Sequence, residues 1–374
     1  MDYSKIGRMV YETRLTLSLR NVYRNICRII RQDSFFPHLE RKCVARRALD
    51  LILWYLRYKE INYYYHSYGF DIKGLRDQSS YLPYREFRIV RDNDNLASTS
   101  PYSYTRVCIL RDKVLFSSYF SKLLGAQYVP TDLGRLTPDG MVHSWNEQSH
   151  SIQLSLTDFL AAQSGDLFIK KLTGECGDSC YCLENLTPGS STLIINHTPI
   201  TTETFCAELR GSEYIIQQRI SQHSSLSVLN PSCVNTIRIV TIIGKNSKIP
   251  RVFAHFLRLG IDSVVDNRAT GGIAVLIDEN GILRGNGFGH RFIFAEHPIT
   301  KHQFEGYQLP YWSEVQQLVL SAHDALKDIP SIGWDVAITP SGPILLEGND
   351  NWEICGVQDT MGGIKARWYE FRNS

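Results

Sequence analysis

Three oxygen-bearing side chains near the carboxyl end, Asp335, Glu347 and Asn349, are spaced so that they could work together. Asp335 falls in the run Trp334–Thr339, Glu347 ends the run Pro343–Glu347, and Pro340-Ser341-Gly342 lies between them. Apolar runs joined by such a turn predict a β-hairpin. On adjacent antiparallel strands, residues distant in sequence converge on one point. Two carboxylates and an amide oxygen are hard donors, suited to Mg2+ held jointly with substrate phosphates. Taken singly, an acid after a strand is more often a turn or cap residue.

A second set is Phe168-Ile169-Lys170-Lys171-Leu172-Thr173-Gly174-Glu175-Cys176-Gly177. A strand that ends in lysine and runs into a glycine loop lets backbone N–H groups approach phosphate oxygens while an ammonium adds charge. The Gly-Lys-Ser/Thr of a Walker loop is missing, and a tight hairpin is the plain alternative. A third set is cationic. Arg238 sits in Thr236-Ile237-Arg238-Ile239-Val240, Arg258 ends the following strand, and Asp266-Asn267 precede Gly271-Gly272. Strand alternation turns Arg238 away from its apolar neighbours. Guanidinium recognises phosphate or carboxylate in a plane, and it also serves in surface ion pairs.

The elements that must carry these groups mix helix and strand. Asp112-Lys113 opens a helix that runs to about Leu124 and stops at Gly125. Strands are expected at Leu167–Lys171, Ser191–Asn196, Ile215–Ile220, Thr236–Ile243, Arg251–Leu259, Gly272–Asp278 and Gly281–Gly285, with a helix from Trp312 to about Lys327. This pattern predicts an α+β fold and argues against a doubly wound parallel sheet. The polar, turn-rich residues 91–103 mark a boundary. The expected divisions are a helical basic extension over 1–95, a first part over 96–165, a glycine-loop lid with a hinge strand over 166–220, and a catalytic part over 221–374.

At 374 residues the chain is long enough for two or three packed units. Hydrophobic residues at 43% and charged residues at 21% exclude a disordered or collagen-like chain. The net charge of +2 announces no nucleic-acid partner. No apolar run reaches bilayer-spanning length and the first residues lack the pattern of a signal peptide, so the expectation is a soluble, cytoplasmic protein. Nine scattered cysteines favour reduced thiols, with Cys176, Cys180 and Cys182 read as loop residues. Charge gathers at the amino end, where Arg20, Arg24, Arg28 and Arg31 recur at helical spacing. Leu19, Val22, Tyr23, Ile26, Ile29 and Ile30 fill another face of an amphipathic helix over 15–31. That helix fits peripheral contact with an anionic membrane, packing on its own domain, or a dimer contact. A further helical stretch, from Arg41 to Tyr68, carries Leu51, Leu53, Trp54 and Leu56 and then Tyr63-Tyr64-Tyr65, which read as core.

In this order the sets resemble the ATP-grasp superfamily, and most closely its sugar-transfer-associated branch. The resemblance spans roughly residues 45–365. Its motifs are Asn235-Thr236-Ile237-Arg238, Asp266-Asn267 with Gly271-Gly272-Ile273, His297-Pro298, Leu309-Pro310-Tyr311-Trp312, and above all Gly333-Trp334-Asp335 with Glu347-Gly348-Asn349. Ribosomal-protein glutamate ligases are more distantly similar. The resemblance implies an ATP-grasp fold with an N-terminal helical extension and ATP and Mg2+ as cofactors. It implies phosphate contacts from Lys113 and Lys170, a lid containing Gly174 and Gly177, and a hinge strand with Ile216, Gln217 and Gln218 at adenine. It implies Arg238, Arg258 and Asn267 about the γ-phosphate and the acyl-phosphate oxygens, and Asp335, Glu347 and Asn349 on magnesium. The implied reaction is ligation of a carboxylate to an amine through an acyl phosphate. The implied substrates are small-molecule carboxylates and amines, sugar-linked ones among them, as in joining an amino acid to a surface polysaccharide or its precursor. A small-molecule or sugar kinase on the same fold is the alternative. His297 is read as a structural His-Pro turn, with a base for the incoming amine as its other use.

Overall fold

The computed structural model describes residues 19–96, 103–145, 151–172 and 179–374. Its amino end is helical, with α1 (Leu19–Ile30), α2 (Val44–Tyr58), α3 (Tyr84–Leu96), α4 (Ser103–Arg111) and α5 (Lys113–Leu124). The start of α5 is written locally. The Asp112 carboxylate accepts from the backbone N–H groups of Val114 and Leu115, and Gly125 ends the helix at φ +114°. On α1, Val22, Ile26 and Ile29 are buried in a cluster with Leu51, Trp54 and Tyr65. Most of the apolar face of the amphipathic helix is therefore spent on its own domain, with Leu19 and Tyr23 left exposed. Residues 15–18 of that expected helix lie outside the described residues.

The first sheet contains β1 (Asp132–Leu136), β2 (Met141–Trp145), β3 (Ser151–Ser155), β4 (Gly165–Lys171), β5 (Cys180–Leu186), β6 (Thr192–Ile195), β7 (Thr198–Thr201) and β8 (Tyr214–Gln218). Its order is β3-β2-β1-β8-β4-β5-β6-β7 and every pairing is antiparallel. Helices α6 (Leu156–Ala161) and α7 (Thr202–Leu209) contribute Phe159, Leu160, Phe205 and Leu209 to the core of this sheet. The expected division at residue 165 does not match this arrangement, because β1–β3 and β4–β8 share one sheet and one core. The physical reason is β8, which returns between β1 and β4 and joins them.

The second sheet contains β9 (Thr236–Ile242), β10 (Arg251–Leu259), β11 (Ile273–Ile277), β12 (Leu283–Phe288), β13 (Ile293–Phe294), β14 (Ser331–Thr339) and β15 (Gly342–Asn349). Its order is β13-β12-β11-β10-β9-β14-β15, again antiparallel. A short helix α8 (Ser224–Leu229) and the longer α9 (Trp312–Asp324) belong with it. One face buries Ile237, Ile239, Leu257, Trp334, Val336 and Leu345 against Phe116 and Phe120 of α5 and Val315 and Val319 of α9. Helices α10 (Cys355–Met361) and α11 (Lys365–Asn373) cover part of the opposite face. There Val357, Trp368 and Phe371 pack with Val240, Ile242, Phe253 and Phe256, and Leu82 and Phe87 join from the amino end. The rest of that opposite face carries the charged side chains.

Candidate active site

The hairpin β14–β15 aligns Asp335 with Glu347 and Gly333 with Asn349, and on its other side β14 aligns Asp335 with Arg238 of β9. A cross-strand row Arg238–Asp335–Glu347 therefore stands on one face, because directly opposed residues of a sheet point the same way. Apolar Ile237 and Val336, one residue along, face the core. Between Asp335 and Val336 the register shifts by one residue, so that Val336 pairs with Leu345 and Leu346 is unmatched.

The row is bound by charge. Arg238 grips Asp335 with both branches, Nε to Oδ1 at 2.5 Å and Nη2 to Oδ2 at 3.0 Å. Arg258 Nη1 donates to the same Oδ2 at 3.0 Å. Its Nη2 reaches Asp266 Oδ1 at 3.0 Å and also donates to Asn267 Oδ1. Asp266 in turn accepts from the Thr236 backbone N–H and hydroxyl through Oδ2. The loop beyond it depends on glycine. Gly271 sits at φ +101°, and a Cβ on Gly272 would lie 2.3 Å from the Asp266 carbonyl oxygen. Asn349 Nδ2 donates to the Gly333 carbonyl at 3.3 Å, which leaves its amide oxygen for other use.

The two carboxyls of the hairpin are pushed apart electrostatically. Burial opposes the charge on Asp335, yet the guanidiniums of Arg238 and Arg258 outweigh it and hold that carboxyl well below the usual range. Burial, and then the neighbouring charge of Asp335, push Glu347 up, against the opposing pull of Lys113 and Lys170. Both lysines belong to other elements, so the charged face of the second sheet looks toward β4 and the start of α5. Burial lowers Lys170, and Glu347 is the largest influence opposing that shift. Lys113 Nζ donates to the Leu172 carbonyl at 3.2 Å and ties α5 to the end of β4.

The structure thus brings Arg238, Arg258, Asn267, Asp335, Glu347 and Asn349 together, with Lys113 and Lys170 facing Glu347. Gly174 and Gly177 lie outside the described residues. On β8 the arrangement differs from the expected adenine contact at Ile216. Its backbone is paired with Gly134 on one side and Ile169 on the other, so it has no open edge. Gln217 is buried and donates from Nε2 to Asp132 Oδ1 at 2.7 Å, whereas Gln218, at the strand's end, is exposed. His297 is structural, as expected. Its Nε2 lies 2.8 Å from the Gly260 carbonyl, and its Nδ1 accepts from the Thr300 backbone N–H.

Sequence reasoning missed Asp132, whose only signal was a lone acid after Pro130-Thr131, and whose carboxyl is raised by burial. It also missed the supports behind the hairpin. Arg111 holds Asp350 at 2.9 and 2.6 Å. Asn95 donates to the Ser331 and Asp350 carbonyls and accepts from the Ser331 N–H. Tripeptide spacing carries no trace of partners more than 200 residues away.

Whether these groups suit a divalent cation and a polyphosphate can be judged from the donor set. On the second sheet and the loop after β10, three carboxyls (Asp266, Asp335 and Glu347) stand against two guanidiniums (Arg238 and Arg258), an anionic excess that a cation relieves. Among the described residues no group of three His, Cys, Asp or Glu side chains is gathered as a ready metal cage. A magnesium held by two carboxylates and completed by phosphate oxygens and water needs none. Lys113 and Lys170 lie on the side where phosphates would add negative charge, so the donor set fits both groups.

One family model matches most of the chain. Residues 100–367 match the family described as "Sugar-transfer associated ATP-grasp". No protein of curated function matches the chain. Among solved structures it is similar to D-cycloserine synthetase, at 15% identity over 71% of each chain and a TM-score of 0.36. It is similar to N5-carboxyaminoimidazole ribonucleotide synthetase from Thermotoga maritima, at 12% identity over 67% of this chain and 44% of that one, with a TM-score of 0.34. D-alanine–D-alanine ligase from Bacillus anthracis gives 14% identity over 71% of this chain and 64% of that one, with a TM-score of 0.35. The chain thus spans less than half the length of the Thermotoga enzyme. With the match covering well over half of its residues, the chain belongs to the sugar-transfer associated ATP-grasp family.

Proposed function

We propose that the protein is an ATP-dependent ligase that joins a carboxylate to an amine through an acyl phosphate. The observation that carries this reading is the row Arg238–Asp335–Glu347, with Asn349 beside it and two lysines opposite. A substrate carboxylate that attacks the γ-phosphate brings an anion to a polyanion, so the chemistry requires concentrated positive charge. The carboxylate oxygen bonds to phosphorus as the bond to ADP breaks. An amine then bonds to the acyl carbon, inorganic phosphate leaves, and the amine gives up a proton.

Each role is supported by placement. Lys113 and Lys170 bind the phosphate chain from the side of the first sheet. Arg238 and Arg258 keep Asp335 ionised and orient it, and their remaining N–H groups meet the transferred phosphoryl oxygens. Asn267, turned by Arg258, borders the same space. The end of β8, at Gln218, supports the nucleotide base, with Gln217 fixed behind it by Asp132. Asp335, Glu347 and Asn349 would hold Mg2+, which when bound neutralises charge on the phosphates. Gly174 and Gly177 lie outside the described residues, and the family resemblance alone assigns them to a lid that would exclude water from the acyl phosphate. The family's description directs the first trials to sugar acids and amino sugars, and cytoplasmic enzymes of surface-polysaccharide assembly are the setting this fits.

The test is ADP release across a panel of acids and amines, with the products identified by mass spectrometry. Glu347→Gln is expected to abolish turnover while the protein stays folded, and wild-type-like ADP release from that variant overturns the metal role. Hydroxylamine in the assay should yield a hydroxamate. A phosphorylated alcohol in its place would favour a kinase.

A further inference from the structure

Helix α2 is apolar on two sides. Its inner side buries Leu51 and Trp54 in the amino-terminal core. Its outer side carries Ala45, Leu49, Ile52, Leu53 and Leu56, which recur at helical spacing. These side chains are open to solvent. Leu49 is 44% exposed, Ile52 42%, Leu53 51% and Leu56 56%. Single exposed leucines are ordinary, whereas a contiguous stripe along nearly the whole helix marks a contact surface.

We propose that this outward stripe of α2 docks on an anionic lipid bilayer. The chemistry of its rim selects that partner. Arg46 and Arg57 flank the stripe and are exposed. A groove beside Leu53 is lined by Lys42, Arg46, Arg57 and Arg76 against the acids Asp50 and Asp77. A neighbouring hollow adds Arg41 and Lys73, paired with Asp71 and Glu40 as Lys42 and Arg46 are with Asp50, so the uncompensated charge of the rim comes chiefly from Arg57 and the arginines of α1. Helix α1, which packs on α2 through Val22, Ile26 and Ile29, carries Arg20, Arg24 and Arg28 and no acidic residue. Leucines between cations are the pattern of a helix lying in a membrane interface, its apolar side chains among acyl chains and its arginines at the headgroups. Antiparallel pairing of α2 with a second copy about a two-fold axis would bring Arg46 of each copy toward Arg57 of the other, a repulsion that an anionic surface turns into attraction. The basic spacing of α1 fits such contact in the sequence, yet its Val22, Ile26 and Ile29 are buried and only Leu19 and Tyr23 stay exposed, so the contact moves to α2. This inference stands apart from the ligase chemistry.

The full-length protein is mixed with vesicles of phosphatidylcholine containing about one-third phosphatidylglycerol, and with vesicles of phosphatidylcholine alone, and then sedimented. It should pellet with the anionic vesicles, release as salt is raised, and stay in solution with the neutral ones. Leu53→Glu and Leu56→Glu should each weaken partitioning about tenfold or more. Both sites are exposed, so each variant should melt like the wild type, and that measurement is made alongside. Equal sedimentation with both vesicle types, or none with either, overturns the proposal. So does a wild-type dimer that Leu53→Glu splits into monomers without any loss of vesicle binding.

Discussion

Asp335 and Glu347 lie side by side and respond to the same environment in opposite ways, which gives each a distinct signature. Asp335 is buried and held by two arginines through three hydrogen bonds. Asp335→Asn should leave two guanidiniums without their anion and destabilise the fold by about 3–5 kcal/mol, read from denaturant unfolding. Because its pKa is depressed on folding, this stabilisation is present above the unfolded carboxyl pKa. It is lost as pH falls through the lower, folded value. Glu347 is raised, so its sign is reversed. Its contribution is full below the unfolded pKa and is lost as pH rises through the folded one. Glu347→Gln should therefore raise the ligand-free melting temperature at neutral pH, by about 2–4 °C for each kcal/mol relieved. A melting point that falls would contradict the strain placed on this acid. The same raised pKa means a cation must displace a proton at low pH. Affinity for Mg-ADP, measured by calorimetry, should climb with pH and flatten once Glu347 is ionised. A profile that does not rise with pH would remove Glu347 from the contact.

Elements decide how much of this could be read in advance. The hairpin β14–β15 was legible because Pro340-Ser341-Gly342 writes its own turn, and α5 because Asp112 and Gly125 write its two ends. Strand β9 was legible because Arg238 interrupts an otherwise apolar alternation. The strands β1–β3 left little trace, since their residues are as often polar as apolar. Helix α10 gave no periodic signal because it buries Gln358, Asp359 and Thr360, which a pattern search counts as exposed. The flanking of Ile216 by β1 and β4 was not legible, because a sequence does not say which strands will pair on either side. Support for the hairpin is likewise an affair of elements. Asn95 on α3 satisfies both ends of a break between Ser331 and Asp350. Asn95→Ala strands those buried groups and should destabilise by about 1–3 kcal/mol. It should also slow ADP release although Asn95 touches no substrate. Normal stability in that variant would mean water replaces the amide.

Across the whole molecule, the amino-terminal helical layer is stitched to the carboxyl end. Gln358 on α10 accepts from the Leu82 N–H at 2.8 Å and donates to the Leu82 carbonyl and the Tyr68 hydroxyl, each at 3.1 Å. Arg76 lies on the Gln358 and Asp359 carbonyls and over the Phe288 ring. These contacts join cores that are far apart in sequence, so calorimetry should record one transition for the helical layer and the second sheet together. Gln358→Ala should lower it as a unit. Two separated transitions in the wild type would show that the layer is an independent domain.

The unmatched Leu346 bears on how such a chain tolerates change. In a plain pleat, residues two apart share a face, and Leu345 and Glu347 would then both be greasy or both wet. One spare residue lets the strand serve the oil-filled layer and the acidic row within three positions. What lies at 346 is therefore less important than that something does. Exchanges of Leu346 for other medium-sized residues should pass quietly, while an altered residue count would turn the acid toward Val336 and silence the protein without touching any reactive group.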